Sequence, residues 1–176
     1  MRVRNYFFSI TLVFSLTFGY VEFVHGVNTA KAQTKEVIVE KEKTDFDRAV
    51  ELIMKYEGLH KNHGNLIGYG HKVVAGEPYK PNQNLTKAQA EKLLRKDLAK
   101  LCEKYREFGK DSLLLSALAY NCGTGMVAKS SVYKKLLSGD RNIKANYLSY
   151  CKANGKVLSQ LQKRRTEEFE TLFILD

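Results

Sequence analysis

Two prolines, three cysteines and no tryptophan in 176 residues exclude several architectures before any motif is read. So few prolines exclude a proline-rich stalk, and no repeat recurs at the roughly 20–50-residue spacing of a solenoid. Three cysteines cannot all pair, and none stands in a Cys-x-x-Cys motif. A disulfide scaffold and a cysteine zinc site are therefore not expected. A glycine-rich phosphate loop is also missing, so nucleotide chemistry has no foothold. Neither a metal nor a cofactor is expected.

What is present is globular and basic. Hydrophobic residues make up 44% and charged residues 27%, with a formal net charge of +10; this composition suits one packed domain rather than a disordered chain. Arg2 and Arg4 precede the apolar run Tyr6–Val21, and Ala30-Lys31-Ala32 supplies a small-residue exit. That is the pattern of a secretory signal, with cleavage expected after Ala32. The run stops at Glu22, short of the ~20 apolar residues of a membrane helix. A signal anchor that carries Glu22 at the membrane surface is the alternative, and the only way a membrane becomes a partner. The expected organisation is a signal peptide at 1–32, a linker or short edge strand at 33–43 and a catalytic domain at 44–176. Removal of the first segment leaves +8, a surplus that attracts polyanions. For an exported chain that polyanion is the cell wall rather than nucleic acid. Periplasmic or extracellular placement and a monomer are expected.

Elements follow from caps and periodicity. Thr44 with Asp47 forms a capping box, and Phe46, Ala49, Val50, Ile53 and Met54 mark one helix face that stops at Gly58. Leu59–Val74 reads as a β-hairpin with glycines at its bends. Pro78 and Pro81 mark a loop, and Thr86 with Gln89 caps a second helix whose buried face runs from Ala90 to Tyr105. Leu113–Tyr120 reads as the central buried helix, closed by Asn121–Gly125. Further helices are expected over Ser131–Leu137, Arg141–Lys152 and Leu158–Phe173. Cys102, Cys122 and Cys151 read as small core residues, although a Cys102–Cys151 disulfide is compatible with export.

Glu57 closes the first helix immediately before the glycine-rich hairpin. A carboxyl held rigidly there and partly buried can serve as a general acid on a glycosidic oxygen.

Three ordered motifs bear on that reading. Tyr56-Glu57-Gly58-Leu59 with Ile67-Gly68-Tyr69-Gly70-His71 resembles the catalytic start of phage-type lysozymes, glycoside hydrolase family 24. Ala117–Gly125 and Ser130–Leu136 resemble the family's central-helix motif, and Arg164-Arg165-Thr166-Glu167-Glu168-Phe169-Glu170 is similar to its C-terminal double-arginine segment. The resemblance implies a mainly helical α+β fold with a small hairpin lobe and a larger helical lobe. It implies cleavage of peptidoglycan between N-acetylmuramic acid and N-acetylglucosamine, with Glu57 as acid, Arg164 beside it and His71 buttressing the hairpin. Tyr69, by ring stacking, and Asn121, by its amide, are the expected sugar contacts.

The family's second catalytic position departs from pattern: Gly58–Ile67 contains no Asp, Glu, Cys or Thr. His63, at the expected hairpin tip, and His60 are the side chains of that interval able to act as a base. Two alternatives stay open. One is a lytic transglycosylase, which needs Glu57 alone because the sugar's 6-hydroxyl attacks. The other is a non-catalytic peptidoglycan-binding module on the same fold.

Overall fold

A computed structural model describes residues 42–175. The expected signal segment and the linker up to residue 41 lie outside the described residues. No helix among the described residues is long and apolar enough to cross a membrane.

Thr44 caps α1 (Asp45–Glu57) reciprocally. Its hydroxyl accepts from the Asp47 N–H, and the Asp47 carboxylate accepts from the Thr44 N–H, both at 3.1 Å. Hydrogen bonds from Thr44 and then Arg95 hold the Asp47 carboxyl down at about 2. Ala49, Val50 and Ile53 carry the buried face. Gly58, at φ 66°, ends the helix and lets the chain leave at once into the sheet.

Three short antiparallel strands follow: β1 (His60–His63), β2 (Leu66–Gly68) and β3 (His71–Lys72), in the order β1-β2-β3. The third strand extends the two-stranded hairpin expected from sequence. The sheet leans on α2 (Lys87–Lys104), where a Cβ at Gly68 would stand 3.3 Å from that of Ala90. Thr86 and Gln89 form the second capping box.

A 3-10 turn (Arg106–Asp111) leads into α3 (Ser112–Cys122), whose Leu114, Leu115, Ala117, Leu118 and Ala119 lie at the centre of the core. α4 (Thr124–Lys129) starts directly after Gly123, where only a closing turn was expected. α5 (Ser131–Leu137) is capped by Ser130.

The helix expected over Arg141–Lys152 is only α6 (Lys144–Leu148). Two forces shorten it. Arg141 is held by the Asp111 carboxylate through two hydrogen bonds of 2.8 Å. At the other end the chain turns through Asn154 and Gly155, both at positive φ, into a second hairpin, β4 (Lys152–Ala153) and β5 (Lys156–Val157). The last helix, α7 (Ser159–Leu172), packs on α1, α3 and α6. The three cysteines are free thiols.

Candidate active site

Glu57 is the last residue of α1, and its two oxygens have different surroundings. Oε1 accepts from Arg164 Nη1 at 2.8 Å and from Asn121 Nδ2 at 3.4 Å. Oε2 takes no hydrogen bond among the described residues and is not buried. It faces Gly70, where a Cβ would stand 3.4 Å away. Gly70 has φ 97°, so both its backbone and its lack of a side chain matter here. The side chain of Glu57 is 19% exposed, enough to reach solvent while remaining held.

A closed polar network lies behind Oε1. Arg164 Nε donates to Glu168 Oε1 at 2.7 Å, and Arg165 donates to Glu168 Oε2 and to Asn121 Oδ1. The Tyr147 hydroxyl donates to Glu168 Oε2 at 2.8 Å. Arg164, Arg165 and Glu168 are all buried in α7. Their spacing makes this possible: positions three and four apart share one helix face, so Glu168 meets both arginines. The Arg164 guanidinium also lies over the Tyr56 ring, 5.6 Å from its centroid. Two arginines are thus matched by two glutamates, the condition under which charges tolerate burial.

The sheet is fastened by a second set of contacts. His71 places Nδ1 2.6 Å from Asp97 Oδ2 on α2 and Nε2 2.9 Å from Glu77 Oε2. The bond to His71 is the main cause holding the Glu77 carboxyl below its ordinary range. From α3 the Tyr120 hydroxyl donates to the Tyr69 carbonyl at 3.0 Å. Burial pushes that phenol far above its usual range, so it stays a neutral donor. Gly70 is therefore held between two anchored neighbours.

Glu57, Arg164 and Asn121 come together, and Asn121 turns out to be fixed by Arg165 as well as facing Glu57. Tyr69 requires a correction. Its ring is 6% exposed and sits in the core, so it cannot offer a stacking face to a sugar. His60 and His63 meet edge to face at 5.0 Å on β1, and neither hydrogen-bonds to Glu57. His63 is exposed, whereas His60 Nε2 is buried without a partner. Burial pushes the Cys102 and Cys122 thiols up, which fits packing residues rather than nucleophiles.

Sequence reasoning missed Glu168, Tyr147, Asp97 and Glu77. Glu168 was accessible through its spacing from the two arginines. The other three meet their partners only through the fold.

The arrangement can be set beside known proteins. The muramidase domain of SpmX from Asticaccaulis excentricus matches with 23% identity and a TM-score of 0.59, covering 73% of this chain and 96% of that one. An endolysin from Escherichia coli O157:H7 phage FAHEc1 matches with 22% identity and a TM-score of 0.57, covering 72% and 90%. At these identities the likeness establishes the fold. No match is found among curated proteins. The phage lysozyme family model matches residues 54–168, a span that opens just before Glu57 and closes on Glu168. With most of the chain inside that match, and the acid, its arginine and the glycine-lined sheet all within it, the protein belongs to the phage lysozyme family.

Proposed function

We propose that this protein is exported and cleaves the glycan strands of peptidoglycan at the β-1,4 bond between N-acetylmuramic acid and N-acetylglucosamine, with Glu57 as the general acid. The observation that carries the reading is the division of labour at one carboxyl. Oε1 is gripped by Arg164 and Asn121, while Oε2 is unpartnered and faces the glycine wall at Gly70. A proton on Oε2 passes to the glycosidic oxygen as that bond breaks, and Arg164 fixes the carboxyl without occupying the working oxygen. In hydrolysis a water then adds to the sugar carbon and gives up its own proton. His63 is the exposed side chain of β1 assigned to accept it, since His60 Nε2 is closed off.

Lytic transglycosylation is the second reading, and one observation favours it. Among the described residues no second carboxylate hydrogen-bonds to the atoms that hold Glu57 apart from Glu168, which lies behind it. In that chemistry the sugar's 6-hydroxyl replaces water, and no outside base is needed.

Digestion of purified sacculi followed by mass analysis of the fragment ends tests both. Reducing ends, with a loss of ~10²-fold or more in His63→Ala, are the hydrolytic outcome. Anhydro ends, with His63→Ala within a few-fold of wild type, establish the transglycosylase. Sacculi that are bound but never cut leave a wall-binding module.

A further inference from the structure

α2 carries four lysines at four-residue spacing, Lys92, Lys96, Lys100 and Lys104, all exposed. On a helix that spacing sets them in one row, and Lys92 to Lys104 spans about 18 Å at ~1.5 Å per residue. Like charges four residues apart oppose the helix that bears them. The nearby acids do not relieve the row. Glu91 is engaged by Arg95, Asp97 and Glu77 by His71, and Glu103 by Arg106. Lys72, on β3, joins the row's end. None of the five ammonium groups takes part in an ion pair or hydrogen bond among the described residues.

The row leads to the candidate active site. Lys72, Lys100 and Lys104 line a groove of about 420 Å³ that is also bounded by Gly70 and Tyr120. Gly70 is the residue facing Glu57 Oε2. The depression lined by Asn121, the other residue that flanks Glu57, contains Tyr150, Ser149 and a single lysine, Lys152. Positive charge is thus concentrated on the Gly70 side.

The geometry points to this lysine row as a docking rail for the carboxylates of peptidoglycan stem peptides, presented by the same strand whose sugar linkage Glu57 meets. The inference rests on the proposed function and adds to it a substrate preference: strands bearing free stem carboxylates over strands whose stems are amidated or removed. A rigid helix holds the ammonium groups in line, and a strand with acidic stems offers a matching line of charge. Exposed pairs of this kind are individually weak, so the effect comes from several acting together.

Binding without turnover separates this idea from the catalytic one. Lys72→Gln/Lys100→Gln/Lys104→Gln is compared with an equal-charge control, Lys129→Gln/Lys134→Gln/Lys156→Gln, each in a Glu57→Gln background. Co-sedimentation uses teichoic-acid-free sacculi that are native, carbodiimide-amidated, or stripped of stems so that only the lactyl carboxylate remains. The groove variant is expected to bind native sacculi about tenfold more weakly, and the control near normally. On amidated sacculi the two should bind alike. Equal losses in both variants would overturn the rail, as would undiminished binding to amidated or stem-free glycan. Cleavage of sacculi by the wild type alongside any of those results would sink the rail alone. Sacculi neither bound nor cut by the wild type would sink the rail and the proposed function together.

Discussion

The two oxygens of Glu57 look onto regions built in opposite ways. Behind Oε1 every buried charge is matched: Arg164 and Arg165 share Glu168, Tyr147 adds a hydroxyl, and Asn121 closes the circuit. In front of Oε2 stand glycine backbone and a groove whose lysines have no ion-pair partner among the described residues. Burial demands the first arrangement, because an unmatched charge away from water costs several kcal/mol per ion. A substrate demands the second, because hydrogen-bonding capacity already satisfied within the protein is lost to a ligand. One side chain at the end of α1 spans the two, and the contrast assigns holding to one oxygen and reaction to the other.

The largest test of the contrast falls on the closed side. Glu168→Ala removes the shared counterion and leaves Arg165 with only Asn121 and Arg164 with only Glu57. A stability loss of about 3–5 kcal/mol is expected in chemical denaturation. A loss below about 1 kcal/mol would mean that water already compensates these arginines, and the contrast would fail. The open side gives a smaller structural effect. Gly70→Ala puts a methyl at φ 97°, 3.4 Å from Oε2. It should cost about 1–3 kcal/mol through backbone strain, and it should depress cleavage of sacculi beyond what that loss of stability explains. Wild-type cleavage by Gly70→Ala would show that Oε2 does not work against that wall.

The sequence made parts of this contrast legible and hid others for identifiable reasons. α1 and α2 were readable because each carries a reciprocal cap, Thr44 with Asp47 and Thr86 with Gln89, that fixes its first residue. Glu57 stood out because Gly58 follows it and the glycine-rich strand comes next. The buried state of Arg164, Arg165 and Glu168 was obscured because charged residues are nearly always exposed unless paired. Their three- and four-residue spacing still carried the information. Asn154-Gly155 was the clearest short hairpin signal in the chain, but its lysine-rich flanks lack the alternation that usually accompanies a strand pair. The expected helix was therefore carried to Lys152, past its end at Leu148. Tyr69 illustrates a different failure. A tyrosine beside a catalytic motif suggests a sugar platform, yet alternation along the strand and the contact from Tyr120 turn its ring into the core. The clasp of Asp97 and Glu77 on His71 joins residues 26 and 6 positions apart, and the longer of these contacts had no local trace.

The central claim rests on Oε2, and Glu57→Gln tests it most directly because the amide keeps the shape and can no longer act as the acid. Arg164 retains Glu168 in that variant, so the melting temperature should stay close to that of the wild type. Release of glycan fragments from sacculi should fall ~10²-fold or more. Release at the wild-type rate by a folded Glu57→Gln protein would contradict the account.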